Sequence, residues 1–296
     1  MNQHQRLAFL TVVLTLGIAT GLAFALSGGS AKVGELPIVV LCAAAAFVIN
    51  WLAFIPSYLY RTEHYFDLVG SLTHLTLIVV ALVGSSDLDL RSIIVSVIVG
   101  VWAVRLGSFL FLRAQKSGGD GRFDTIKHHP GTFFSWWSIQ ALWVLVTGSC
   151  SLVIITSAER ETFGWVAVLG LALWAAGFLI EVLADRQKTQ FRSDPKNSNT
   201  FIRSGLWAWS RHPNYFGEIV LWIGVAVLAI PLLSGWKFVA LISPIFVFVL
   251  LTRISGIPIL ERRSIQRWGD DVAYQEYLRR TPILLMRKPN AKIKDL

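Results

Sequence analysis

Eight apolar blocks, most of them about as long as a membrane is thick, leave this chain few ways to fold. They lie at 7–26, 37–59, 67–84, 92–112, 133–156, 162–184, 214–233 and 236–258. A helix of about 20 residues crosses the roughly 30 Å hydrocarbon layer. Within that layer every backbone N–H and C=O needs an internal partner, and a helix supplies it within one segment. The expected class is therefore all-α, a polytopic transmembrane bundle of about seven or eight spans. Charged residues make up 15% of the 296, against about 25% in soluble domains, and the deficit falls in these blocks. The first block is long, and no Ala-x-Ala pattern closely follows it, so it reads as a retained span rather than a cleaved signal. Only Ser234 and Gly235 separate the last two blocks, which predicts a tight helical hairpin.

The net charge of +9 would point to nucleic acid in a soluble protein. Here the positive-inside rule accounts for it, and no nucleic-acid partner is expected. With the N-terminus cytoplasmic, the inner segments hold 22 Lys and Arg and the outer loops 4, namely Lys32, Arg91, Arg160 and Lys237. That bias predicts an even number of spans with both ends cytoplasmic. No retention signal is seen at Lys294-Asp295-Leu296, and a bacterial inner membrane is expected over endoplasmic reticulum. The chain reads as one membrane domain over 1–296: variable N-terminal spans at 1–60, a core at 61–285 and a cytoplasmic tail at 286–296. Ile265 to Arg280 reads as one amphipathic helix on the membrane face, with Trp268, Tyr274 and Tyr277 along it. Cys42 and Cys150 both lie inside apolar blocks, as packing residues would.

Chemistry-bearing residues concentrate between the sixth and seventh blocks. Glu181 and Asp185 are four apart and share one helix face. A polar loop is expected from Lys188 to Ser204. Arg211-His212-Pro213-Asn214 then opens a helix, with proline where a first turn tolerates it. Free N–H groups and the helix dipole favour phosphate there. Tyr215 and Glu218 share a face one turn further on, and Arg253 and Glu261 come from the other side. Two readings stand for this set. One is an ion-pair network tying arginines to helix ends; the other is a polar pocket accepting from ribose hydroxyls or an amide. Arg105 lies about two turns inside its span, either snorkelling or facing an anion cavity.

Several sites are missing. The sequence has no Gly-x-Gly-x-x-Gly after a strand and no Walker loop. Gly118-Gly119-Asp120-Gly121 reads as a loop turn. No His/Cys set has zinc spacing, so no metal is expected. No Gly-x-Ser-x-Gly elbow is present. A cofactor must be held by loops and helix ends.

At these residues the sequence resembles the bacterial branch of the steroid 5-alpha-reductase C-terminal-type membrane reductases. The matching pieces are Trp102-Ala-Val-Arg105-Leu, Glu181-x3-Asp185-x-Gln187-x3-Phe191-Arg192, Ser204-Gly205-Leu206-Trp207, and Ser210 through Glu218. Ser255-Gly256-Ile257-Pro258-x-Leu260-Glu261 and Tyr274-x2-Tyr277-x2-Arg280-Thr281 complete them. Arg-His-Pro-x-Tyr by itself also occurs in isoprenylcysteine carboxyl methyltransferases and sterol C14-type reductases. The resemblance implies NADPH held near the last spans and reduction of an activated carbon–carbon double bond in a lipid or steroid-like substrate. It implies a cofactor pocket of Glu181, Asp185, Arg192, Asn214, Glu218 and Arg253, with Arg105 beneath it. Arg211, His212 and Tyr215 fit the same pocket by the helix-terminus argument, and Glu261 is added from the Ile-Pro-x-Leu-Glu piece. The Gln-Glu pair that steroid reductases use to polarise an enone has no counterpart here. The nearest polar groups are Tyr58, Tyr60, Glu63, Tyr65, Asp67 and His74, of which Tyr65, Glu63 and Asp67 are the candidate catalytic acids. Two rivals remain: an S-adenosylmethionine-dependent lipid or prenyl-cysteine methyltransferase, and a non-catalytic membrane protein.

Overall fold

The structure, a computed structural model, describes residues 3–117 and 123–289. The glycine turn at 118–121 and residues 290–296 of the expected tail lie outside these. The helices are α1 (Gln3–Leu26), α2 (Ile38–Leu59), α3 (Phe66–Gly84), α4 (Leu90–Ser117), α5 (Pro130–Thr147) and α6 (Ser149–Thr156), then α7 (Trp165–Ser193), α8 (Pro213–Ala229), α9 (Ile242–Val249), α10 (Ile257–Trp268) and α11 (Val272–Arg280). A two-stranded antiparallel ribbon, β1 (Lys32–Val33) with β2 (Leu36–Pro37), links α1 to α2. Among the described residues seven helices are long and apolar enough to cross a membrane, or eight spans if α5 and α6 count as one bent span. The protein is an integral, multi-pass membrane protein.

The chain divides into two compact units, Met1–Ala167 with Leu228–Ser243, and Val168–Val227 with Pro244–Leu296. In the first unit, α5 and α6 meet at 55° across Gly148. A bend frees carbonyls from the helical ladder. Ser243 supplies one replacement by donating to Thr147 O at 2.6 Å, while Ser149 donates to Ala240 O at 2.9 Å. Every residue of α6 is buried. Phe66, Phe123, Phe133 and Trp137 form an aromatic core of this unit, and Gln140 Nε2 donates to Phe66 O at 2.8 Å. Cys42 and Cys150 are buried and unbridged, each donating to a carbonyl.

Three boundaries in and next to the second unit depart from the sequence reading. First, α7 runs on to Ser193, so Lys188 to Ser193 belong to the helix and not to the expected loop. Arg186-Gln-Lys-Thr-Gln-Phe-Arg192 holds mostly good helix formers, and Asn197 Nδ2 donates to Phe191 O at 2.9 Å to satisfy the end. Second, the last span is not one regular helix. It begins as a 3₁₀ segment at Gly235–Leu241, continues as α9 and widens to a π-turn at Leu250–Ile254, where Ser255 N donates to Leu250 O at 2.9 Å. Third, the single amphipathic helix expected over 265–280 is two helices. Gly269 and Asp270 break it, and Asp271 caps α11 by accepting from Ala273 N–H at 2.8 Å.

The contact that organises this unit is between the backbones of α7 and α8. A Cβ added at Gly217 would lie 2.5 Å from Gly177 O and 2.7 Å from Glu181 N. One added at Gly224 would lie 2.5 Å from Trp174 N and 2.6 Å from Gly170 O. Small residues of this kind let membrane helices approach closely, where dispersion and backbone contact replace the missing hydrophobic drive. The pairs 170/177 and 217/224 are each seven apart, so one face of each antiparallel helix is glycine at matching heights. Gly217→Val should therefore lower the unfolding midpoint in detergent by an amount equivalent to about 1–3 kcal/mol. Gly17→Val, at a position with nothing within 4 Å of its Cβ, should leave it unchanged.

Candidate functional site

The same α7 face carries Gly177, Glu181 and Asp185 at intervals of four residues. Opposite it on α8 stand Gly217 and, one turn nearer the N-terminus, Asn214. With the glycines in contact, the next polar pair along the seam meets: Asn214 Nδ2 donates to Asp185 Oδ1 at 3.1 Å. Both carboxylates are deeply buried, Glu181 at 2% and Asp185 at 7% exposure. Asn214 Oδ1 is buried and has no hydrogen-bond partner among the described residues. Glu218 lies one turn further along α8 and is half-buried.

The entry to α8 is braced from three directions. Gly205 takes φ +60°, which suits glycine, and Gln187 Oε1 accepts from Leu206 N–H at 2.9 Å. Trp207 Nε1 donates to Ala184 O at 3.0 Å, Lys188 Nζ sits 4.4 Å over its ring, and Tyr277 OH donates to its carbonyl at 2.8 Å. The buried Ser210 hydroxyl accepts from His212 N–H at 3.1 Å and donates to Leu284 O at 2.8 Å. Phe201 packs on Trp268, Tyr274 and Tyr277. Burial pushes the Tyr277 phenol above its ordinary range.

Glu261 of α10 joins Arg211 and His212. The Arg211 guanidinium donates to Glu261 Oε2, and His212 Nε2 lies 2.8 Å from Glu261 Oε1. Burial holds the His212 imidazole below its ordinary 6.5. The Glu261 hydrogen bond and charge oppose this, and the Lys188 and Arg211 charges add to it. Burial wins, so the ring is neutral near pH 7, with its proton on Nε2 toward the carboxylate. Nδ1 is then an acceptor, buried and without a hydrogen-bond partner among the described residues. The Tyr215 ring stacks on His212 at 5.6 Å and 8°. The helix start thus differs from the bare cationic anion site its sequence suggests, because a carboxylate from the same unit neutralises it.

The other expected residues lie elsewhere. Arg192, in the last turn of α7, is exposed, as is Arg253, which sits on the π-turn. Arg105 belongs to the first unit, 5.4 Å from the Phe109 ring, on a shallow apolar recess with Leu75, Val101 and Val104. The candidate acids also belong to the first unit. Glu63 is buried and bonded to Lys127 Nζ at 3.1 Å. Tyr65 is half exposed against Phe111, and Asp67 sits in the first turn of α3. Sequence reasoning missed the glycine seam, the Gln187 clasp and the Ser210 brace. Only the seam left a signal, the seven-residue spacing of glycines in adjacent spans.

The family described as "Protein of unknown function (DUF1295)" matches residues 53–281. Bovine 3-oxo-5-alpha-steroid 4-dehydrogenase 1 is 38% identical over 85 residues, 28% of this chain and 31% of that protein. Steroid 5-alpha-reductase DET2 of Arabidopsis thaliana is 30% identical over 70 residues, 24% of this chain and 27% of that one. Delta(14)-sterol reductase ERG24 of Saccharomyces cerevisiae is 34% identical over 93 residues, 25% of this chain and 21% of that one. The matched stretches thus span less than a third of these three relatives. No solved structure matches.

Because the native state keeps His212 neutral below its ordinary value, the unfolded chain binds more protons as pH falls from about 6.5, and acidification costs stability there. His212→Gln should flatten that part of the melting-temperature profile. A variant profile as steep as the parent's would contradict the assignment.

Proposed function

Because the chain belongs to the DUF1295 family, within the steroid 5-alpha-reductase-like superfamily, we propose that it is a membrane-embedded, NADPH-dependent reductase. Its substrate is a lipid or steroid-like enone, reduced at the carbon–carbon double bond. The observation that carries this reading is the acceptor-rich seam of α7 and α8. Two buried carboxylates, an unmet Asn214 Oδ1 and an unmet His212 Nδ1 lie on adjoining positions of one unit. Buried acceptors without donors are costly, and ribose hydroxyls and a carboxamide are donors of the kind that Asn214 Oδ1 and His212 Nδ1 lack among the described residues.

In this proposal Glu181, Asp185 and Asn214 bind and orient the hydroxyl- and amide-bearing parts of the cofactor. Glu218 and Tyr215 extend the same wall. Glu261 acts through Arg211 and His212, fixing the imidazole tautomer so that Nδ1 stays an acceptor. Arg192 and Arg253 are the proposed phosphate contacts, and Arg105 is a proposed anion contact of the first unit. When bound, NADPH supplies a hydride to the β-carbon of the enone. The reduction also needs a proton. Glu63 is tied to Lys127, so Tyr65 is the proposed acid. Its phenol donates to the carbonyl oxygen, and solvent reprotonates the phenolate. The resulting enol takes a solvent proton on the α-carbon as it releases the one on oxygen, leaving the saturated ketone. Asp67 is the next candidate. We propose both termini cytoplasmic, on the loop-charge bias, and a bacterial inner membrane rather than endoplasmic reticulum.

Purified protein should be stabilised against heat by NADPH and not by S-adenosylmethionine. Asn214→Ala should abolish that shift or weaken the apparent Kd about tenfold while leaving the apo melting temperature within a few degrees. Stabilisation by S-adenosylmethionine alone would instead make the chain a methyltransferase, and indifference to both would make it a non-catalytic membrane protein.

A further inference from the structure

The segment after α11 forms neither helix nor strand, yet its backbone is fixed. At its start Thr281 N–H donates to Tyr277 O at 2.9 Å. Pro282 O then accepts from Arg211 N–H at 2.9 Å, and Leu284 O accepts from the Ser210 hydroxyl at 2.8 Å. Arg287 N–H donates to Trp209 O at 3.0 Å. Residues 281–287 are thus a strap laid along 209–211, all within the second unit. Exposure alternates along it: Pro282, Leu284 and Met286 are half-buried, while Ile283, Leu285 and Arg287 are exposed. Leu285 is 69% exposed, and Trp209 beside the strap is 39% exposed. Lys288 is exposed as well, and no Asp or Glu occurs from 277 to 289.

The length of α8 places this strap against the bilayer. The span that opens at Pro213 runs 20 residues to Leu232. That is a rise of about 30 Å, the thickness of the hydrocarbon layer. With no residue to spare, Pro213 lies at the edge of that layer. A strap bonded to Trp209, Ser210 and Arg211, just ahead of Pro213, therefore lies at headgroup level. At that level apolar side chains reach the acyl boundary, tryptophan is favoured, and Lys and Arg meet lipid phosphates. Two exposed cations with no acid near them in sequence favour net-negative headgroups over zwitterionic ones.

We infer that the 281–288 strap docks on an anionic lipid surface, with Ile283 and Leu285 at the acyl boundary and Arg287 and Lys288 on lipid phosphates. The leaflet is the one at the start of α8, cytoplasmic on the topology proposed above. The inference goes beyond the proposed reaction and holds whatever the chain catalyses.

The test uses the full chain in nanodiscs, with a nitroxide label on Leu285→Cys and relaxation by oxygen and by a water-soluble nickel chelate. The unsubstituted chain, whose Cys42 and Cys150 are fully buried, is the labelling control. In phosphatidylcholine mixed with phosphatidylglycerol, the label should relax with oxygen and little with nickel, at a depth of about 5–10 Å. In phosphatidylcholine alone, and in Arg287→Glu/Lys288→Glu in either lipid, the ratio of inserted to free label should fall about tenfold. Ile283→Cys repeats the measurement if Leu285→Cys does not fold. A label open to nickel in both lipids makes the strap a water-facing loop. A label closed to both reagents means that a second copy or another protein covers it. Either result overturns the docking. Equal insertion with and without phosphatidylglycerol, or in the double variant, overturns the phosphate contact.

Discussion

The backbone contact of α7 with α8 sets the position of the polar residues along their shared seam. At Gly177/Gly217 and Gly170/Gly224 the helices approach so closely that a single methyl on Gly217 or Gly224 would strike a carbonyl or amide. That approach fixes the relative height of the two helices, and Asp185 meets Asn214 only at that height. A wider separation, which any larger residue would force, leaves the buried Asp185 carboxylate and the Asn214 amide without each other. Tight packing of apolar membrane helices and placement of a polar site are here one constraint.

A second constraint works on charge. Arg211 and His212 sit at the start of a helix, where the dipole by itself favours an anion. Glu261 answers from α10 and takes both side chains. The result is a neutral imidazole oriented through its Nε2, with Nδ1 turned into an acceptor. The brace from Ser210, Gln187 and Tyr277 holds the backbone on which this depends. The polar groups sit on packed helix ends, not on a free loop, which suits a site that must bind without large rearrangement.

The architecture was legible because its cause is local. An apolar run of about 20 residues says helix and membrane whatever surrounds it. The bend at Gly148 was not legible, since its carbonyls find partners far away in sequence, such as Ser243 for Thr147 O. The break at Gly269 carried a local signal, Gly269-Asp270 ahead of the Asp271 cap, which the amphipathic pattern of 265–280 masked. The extension of α7 to Ser193 was legible in principle, but polar composition was weighed above helix propensity. For the candidate site, the residue types and their helix faces were readable from spacings of three and four. Their partners were not, because Glu261 lies 50 residues beyond Arg211 and nothing in the intervening sequence announces the pairing.

By itself the sequence determined a polytopic helical membrane protein with a concentrated polar segment around 181–218. Hydrophobic length and loop charge act residue by residue and need no knowledge of neighbours. Only the tertiary structure decided which of those polar groups neutralise each other and which are left as unmet acceptors. Hydrogen bonds and ion pairs are settled by separations of about 3 Å, and those separations exist only once the glycine faces of α7 and α8 have met.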